Sequence, residues 1–244
     1  MTTLEHGSRT AEKNHDLFRL GRFPNCMGWV HHEAFDFERA LQVNEEGVGI
    51  ARETGFLEGE ANSRLNVGLA AIELGELDRA EACFLEVEDV FRRDDWYKWR
   101  YRLRLESGWS ELHLRRGDLA EATARARMGL ELAERVGATK HLAISHRQLG
   151  RIALLEDRIP EAERHLLRAV ELTRDREVPL ASWRAHLSLA ELYQATSRRE
   201  EAAASYKTAL HILSYLAENA AEREKSSILG SKLVRDLRRR VGGV

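Results

Sequence analysis

Apolar residues recur every three to four positions along most of the chain, the spacing of a helix with one buried face. The clearest stretch is Leu149-Gly150-Arg151-Ile152-Ala153-Leu154-Leu155-Glu156-Asp157-Arg158-Ile159-Pro160-Glu161-Ala162, continuing to Ala169. There a helical pattern runs into a polar break, restarts at a proline, and places small Gly150, Ala162 and Ala169 where two antiparallel helices touch. Counted from Gly150, the break at Asp157 lies 7 residues on and the small Ala162 lies 12 on. The same grammar recurs at Gly28, Phe35, Ala40; at Gly68, Gly75, Ala80; at Ser110, Gly117, Ala122; and at Ala190, Ser197, Ala202. Corresponding positions step by 40, 42, 40 and 40 residues, so two extra residues lie between Ala80 and Ser110. A fixed period of this size marks stacked helix-turn-helix units, each burying its apolar face against its neighbours.

The pattern predicts helix pairs over 24–34 with 37–54, 57–74 with 77–92, 96–116 with 119–136, 139–156 with 159–174, and 179–196 with 199–217. Pro24, Pro160 and Pro179 are read as first-turn residues, where the amide hydrogen that proline lacks would be unpaired anyway. Gly55, Gly75, Gly117 and Gly137 follow periodic segments, as left-handed closing residues do. Across the hairpins Gly68, Gly150 and Ala190 are expected to face Ala80, Ala162 and Ala202, because close helix approach requires short side chains. Residues 1–21 have weak periodicity and read as a lead-in or the remnant of a preceding helix. Residues 22–217 form the repeat domain. Residues 218–244 read as a C-terminal capping helix, with Ile228, Leu229, Leu233, Val234 and Leu237 on one face and Arg238-Arg239-Arg240 at its end. Cations suit a helix C-terminus, and a basic patch for an acidic partner is the other use of the three arginines.

Composition narrows the function classes. With 43% hydrophobic residues the 244-residue chain has material for a continuous core. Its 38 basic and 40 acidic residues leave a formal charge of −2, with no global field calling for nucleic acid or a membrane surface. Cys26 and Cys83 make neither a disulfide framework nor a metal-ligand spacing. The polar start lacks the apolar core of a signal peptide, and no run approaches the ~18 apolar residues of a spanning helix. A cytoplasmic setting is expected.

Leu149-Gly150 with Ala162 and Ala169, and Leu189-Ala190 with Tyr193, Ala202, Tyr206 and Ala209, resemble the signature of tetratricopeptide repeats, as do Gly68, Ala80 and Phe84. Ser110 and Phe35 depart from it. The resemblance covers roughly residues 24 to 217 and implies an all-α, right-handed α-solenoid of about five such repeats closed by the C-terminal helix. The period near 40 lengthens each helix by about three residues, most of one turn, over the common repeat. A narrower likeness rests on Met27-Gly28-Trp29-Val30-His31, Phe35-Asp36-Phe37-Glu38-Arg39-Ala40 and Trp96-Tyr97-Lys98-Trp99-Arg100-Tyr101. These look like the long-period arrays at the C-terminal end of large bacterial signalling proteins that carry a kinase or cyclase module and a signalling ATPase. No phosphate-loop motif is present in this sequence.

In repeats of this kind the first helix of each pair lines a concave groove. Counting around each small position puts Arg22, Asn25, Trp29 and His32 there, then Asn62, Leu65, Leu69 and Ile72, then Arg104, Ser107, Glu111 and Leu114. The later units add Ile144, Arg147, Arg151 and Leu154, and finally Arg184, Leu187, Glu191 and Gln194. Arginines along an apolar floor suit a peptide carrying carboxylates; equally, they can pair with glutamates of neighbouring repeats. Trp96 and Trp99 with Arg100 share one face, as a stacking platform for a ligand or as packing between longer helices. Trp109 and Trp183 read as core.

Catalysis and metals find little support. Adjacent His31 and His32 point about 100° apart on a helix and cannot chelate one ion together. His141 and His146 lack a carboxylate to complete a site, and neither a nucleophile elbow nor a cysteine with an evident base occurs. The expectation is therefore a non-enzymatic scaffold, with no cofactor and no metal, that binds a protein or peptide in bacterial signalling or regulation. Its groove residues are Trp29, Asn62, Leu65, Leu69, Arg100, Arg104, Arg147, Arg151 and Arg184, with an apolar anchor near Leu65, Leu69 and Ile72. The terminal repeats offer surfaces for a homo-oligomer. The alternative is a ligand-sensing arm of a signalling ATPase or transcription regulator, marked by an enclosed pocket near Trp96 and Trp99.

Overall fold

Helix lengths in this chain are set by one backbone event. A residue with positive φ recurs at His15, Phe35, Gly55 and Gly75, then at Gly117, Gly137, Asp157 and Ser197. The spacing is 20 residues or a multiple of it, with the two-residue insertion falling between Gly75 and Gly117. Each such residue ends one helix, and at seven of the eight the next amide is seen to turn back to the carbonyl five residues earlier, as in Asp36 N–H to His31 O at 2.9 Å and Arg158 N–H to Ala153 O at 2.8 Å. That contact satisfies an otherwise orphaned carbonyl. Asp16, Asp36 and Asp118 then cap the following helix, accepting from the backbone N–H of Arg19, Arg39 and Glu121.

A computed structural model describes residues 2–93, 98–174 and 178–242, without the side chains of residues 2, 17, 18 and 98–100. Among the described residues the fold is all-α. In order the helices are α1 (Thr2–Lys13), α2 (Leu17–Glu33), α3 (Phe37–Thr54), α4 (Leu57–Leu74), α5 (Leu77–Arg93) and α6 (Lys98–Arg116). They continue with α7 (Leu119–Val136), α8 (Thr139–Leu155), α9 (Ile159–Arg174), α10 (Pro179–Ala195), α11 (Arg199–Glu218), α12 (Glu222–Gly230) and α13 (Lys232–Gly242). The chain divides into two compact units, residues 1–116 and 117–244. No helix among the described residues is long and apolar enough to cross a membrane.

In the first unit consecutive helices pack as antiparallel neighbours, and α2, α4 and α6 also pack side by side as one layer. Residues 2–13, expected as lead-in or a helix remnant, form α1 and pack on α2. Because Asp16 caps α2, the helix begins earlier than expected and Pro24 lies in its interior. The first-turn reading of Pro24 is corrected accordingly: there the proline leaves the Leu20 carbonyl without its helical donor. The core gathers around Phe84, fully buried and edge-on to Trp109 at 5.3 Å between ring centroids. Gly68 makes room for that ring. A Cβ on Gly68 would lie 2.4 Å from Phe84 Cε1, and one on Gly108 2.7 Å from Phe84 Cζ.

The second unit repeats the plan, with α8 and α10 side by side and α9 and α11 behind them. Trp183, like Trp109, is buried. On Gly150 a Cβ would stand 2.6 Å from Leu166 Cγ and 3.2 Å from the Ala162 carbonyl oxygen. The glycines thus admit the side chain one turn beyond the expected small residue: Asn44 on Gly28, Phe84 on Gly68, Leu166 on Gly150. The C-terminal segment folds as two helices. Gly230, a poor helix former, ends α12; Ser231 turns extended and its hydroxyl accepts from Val234 N–H to start α13. Ile228, Val234 and Leu237 are buried, and Arg240 reaches Gln194 Oε1 and the Tyr206 hydroxyl, tying α13 to α10 and α11.

Two outcomes follow for stability. Gly150→Leu is expected to lower it by about 1–3 kcal/mol, because the branched Leu166 Cγ cannot swing clear. Ser197→Gly is expected to raise it by about 0.5–1 kcal/mol, since serine at positive φ carries strain that glycine lacks, less the entropy glycine loses on folding. Urea unfolding midpoints of the two variants against the parent chain measure both.

Candidate functional site

Helix α4 is apolar at most positions, yet Glu58, Asn62 and Asn66 stand at four-residue intervals, one turn apart on a single stripe. That stripe meets α2 on one side and α6 on the other. Glu58, 4% exposed, accepts from Arg22 Nη2 of α2 at 2.8 Å and from the Tyr101 hydroxyl of α6 at 2.8 Å. Two turns on, Asn66 Nδ2 donates to the Asn25 carbonyl of α2 at 3.1 Å and to Asn44 Oδ1 of α3 at 3.0 Å. Asn44, seated against Gly28, returns its own Nδ2 to the Ala40 carbonyl at 2.7 Å. Every amide in this ladder has a partner, as buried polar groups require.

Arg104 of α6 completes the ladder. Its Nη1 donates to Asn62 Oδ1 at 2.7 Å and its Nη2 to Asn66 Oδ1 at 2.5 Å. Burial pulls this guanidinium below its ordinary value, while the charge of Tyr101 and then that of Glu33 act in the opposite sense. Among the described residues no carboxylate bonds to it, so a cation is held by two neutral amides. Most other arginines of this unit behave differently. Arg115 pairs with Glu73, Arg116 with Asp78 and Glu81, and Arg79 with Glu45, all across neighbouring helices.

The structure sorts the expected groove residues. Asn62 and Arg104 are bonded to each other. Leu69 is half-buried on α4, and Trp29, 38% exposed, stands on α2. Leu65 and Ile72 are corrected: at 0% and 1% exposed they belong to the core, because the α4 face they occupy turns onto α3 and α5. Neither can anchor a partner. The side chains of Arg100 and Trp99 lie outside the described residues, as do Trp96 and Tyr97, and with them the expected pocket. In the second unit Arg147 and Arg151 share one half-exposed face of α8. Arg184 of α10 lies over the Trp183 ring at 4.2 Å and donates Nη1 to the Leu180 carbonyl at 2.8 Å.

Sequence reasoning missed Asn66, Glu58, Tyr101 and Asn44. The available signal was the polar four-residue spacing inside an apolar helix. It also missed a histidine pair. His146 of α8 and His165 of α9 approach to 2.9 Å between Nδ1 atoms, with ring centroids 5.1 Å apart. His146 is pushed down to about 4, first by burial and then by His165, Arg168 and Arg164. His165 is also lowered, by burial and then Arg164, with Glu161 opposing and Arg127 and Arg158 adding to the fall. No group of three or more metal-ligating side chains occurs among the described residues.

Residues 101–175 match the tetratricopeptide repeat family model. No curated protein matches the chain in sequence. Among solved structures, NprR in complex with its cognate peptide NprX is similar at 18% identity and a TM-score of 0.73, over 99% of this chain and 68% of that one. TTC0263, a thermophilic TPR protein in Thermus thermophilus, matches at 20% identity and a TM-score of 0.60, over 86% and 99%. A Signal Transduction ATPase with Numerous Domains from Pyrococcus horikoshii, PH0952, with a tetratricopeptide repeat sensor, matches at 14% identity and a TM-score of 0.57, over 96% of this chain and 36% of that one. At these identities the likeness establishes the fold.

The histidine pair makes stability depend on pH. Both folded-state values lie below the 6.5 of a free imidazole, so folding favours the neutral rings. The pair's contribution is complete above 6.5 and is lost as pH falls through that value toward about 4. Urea midpoints measured from pH 7.5 to pH 4.5 are expected to fall more steeply for the parent chain than for His146→Gln; equal slopes would remove the pair from the account.

Proposed function

We propose that this tetratricopeptide-repeat chain is a protein-interaction scaffold that binds an extended, acidic protein segment across α2, α4 and α6. The observation that carries the reading is Arg104, a half-buried cation whose hydrogen bonds go to amide oxygens. A partly desolvated guanidinium whose fork is bonded to neutral amides gains from an incoming carboxylate, because the charged acceptor makes the stronger hydrogen bond. The Asn62 and Asn66 amides fix its fork in place before any partner arrives, which lowers the entropy lost on binding. Trp29, exposed on α2, supplies an aromatic surface of the kind that anchors peptides.

The likeness to NprR, solved with a peptide bound, supports a peptide as the partner. Taken by itself, the second unit offers the same chemistry in Arg147, Arg151 and Arg184. The setting we assign is bacterial signalling or regulation in the cytoplasm. A second reading is a ligand-sensing regulatory arm, favoured by the likeness to the Pyrococcus protein, whose repeats serve as a sensor.

The test is fluorescence anisotropy with acidic peptides selected from a displayed library on the full chain. Arg104→Gln is expected to weaken the best peptide at least about tenfold and to flatten its salt dependence, because a desolvated ion pair is lost. Arg147→Ala/Arg151→Ala reports the share of the second unit. Failure of any acidic peptide to bind, or affinity unchanged in folded Arg104→Gln, overturns the proposal.

A further inference from the structure

On the side of α4 away from Arg104, a second polar cluster surrounds Glu60. This carboxylate is buried, its side chain 5% exposed, and three guanidinium groups converge on it. Arg64 donates Nε and Nη2 to Glu60 Oε1 at 3.2 and 3.1 Å, and its Nη1 pairs with Glu86 of α5. Arg52 of α3 donates Nε to the same oxygen at 3.1 Å; Arg93 of α5 donates Nη1 to Oε2 at 3.4 Å. Arg64, itself buried, already neutralises Glu60. Arg52 and Arg93 are therefore surplus to the requirement of burying one carboxylate.

Their placement is specific. The Arg52 and Arg93 side chains are 58% and 53% exposed and border a cleft of about 450 Å³. Each spends one of the five N–H donors of its guanidinium on Glu60 and has no other bond among the described residues. Three guanidinium groups face two carboxylates, Glu60 and Glu86, while Asp89 on the rim is answered by Arg92 at 3.0 Å. The cluster is left with one unanswered positive charge. Val90 and the exposed Leu85 give the cleft an apolar wall, and Gly55 leaves open space where a side chain would project.

We propose that this cleft binds a small phosphate monoester, its phosphoryl group bridging Arg52 and Arg93 and its apolar part lying on Leu85. Two forks held at one carboxylate but directed outward suit an anion with three free oxygens. A carboxylate, with two, is saturated by a single fork. The cleft falls within the range of small-molecule sites. Nothing in this assignment depends on Arg104 or on a peptide partner.

Isothermal titration of the full chain with phenyl phosphate, inorganic phosphate and benzoate tests it. Phenyl phosphate is expected to bind at one saturable site, more tightly than inorganic phosphate and about tenfold more tightly than benzoate. Arg52→Gln/Arg93→Gln is expected to weaken phenyl phosphate at least about tenfold, and Leu85→Asn to weaken it while sparing inorganic phosphate. Both arginines are more than half exposed, so the variants keep the parental helical circular dichroism; the two single variants are measured beside the double one. Arg104→Gln is expected to bind phenyl phosphate as the parent does. Absence of saturable binding, equal affinity for benzoate, undiminished affinity in the arginine variants, or loss in Arg104→Gln instead would overturn the assignment.

Discussion

The constraint on which both units depend is the left-handed residue that closes a helix every twenty positions. Eighteen residues of helix, a residue at positive φ and a capping position make the twenty-residue half-repeat between Phe35 and Gly55 and again between Gly117 and Gly137. Twenty residues is a fixed phase: every helix presents the same positions to the same neighbours, and a face is inherited from one repeat to the next. Four of the closing residues are glycine; Phe35, Asp157, Ser197 and His15 are not. At those positions the chain accepts roughly 1–2 kcal/mol of backbone strain, less where a polar side chain such as Asp157 bonds locally, to keep the period intact.

Periodicity made most of the fold legible. Helix pairs, closing glycines and the two-residue insertion all follow from counting, because helix length and turn chemistry are local properties. The division of residues 218–242 into two helices was less visible, since Gly230-Ser231 interrupts an apolar pattern that reads through it. So was the start of α2. Nothing in the periodicity of residues 17–23 overrides the proline signal at Pro24, and Asp16 as cap is one polar residue among many.

The site was legible only in part, and the reason is angular. Counting identifies which residues lie on the inner helix, so Asn62 and Arg104 were found, but it does not resolve which of two adjacent stripes reaches solvent. Leu65 and Asn66 differ by one position, about 100°. The first falls into the core and the second into the polar ladder. Long-range partners such as Tyr101 and Glu58, 43 residues apart, carry no local signal at all. The histidine pair is hidden for the same reason, His146 and His165 being brought together by antiparallel packing of α8 on α9.

Helix α4 carries two polar pairs, Asn62 with Asn66 and Glu60 with Arg64, each spaced one turn apart and offset from the other by two residues. Two residues rotate the helix by about 200°, so the pairs point to nearly opposite sides. One side braces Arg104, the other gathers Arg52, Arg64 and Arg93. Burying both on a single helix leaves α4 only a narrow accessible strip that includes Asn62 and Leu69, and thirteen of its eighteen residues are buried. A helix with satisfied hydrogen bonds on two opposed sides resists rotation and sliding more than one held by apolar contacts, whose energy is non-directional. The packing of the first unit thus sets the Glu60 cluster and the Arg104 ladder against opposed sides of one helix, each held there by directional bonds rather than by apolar contact alone.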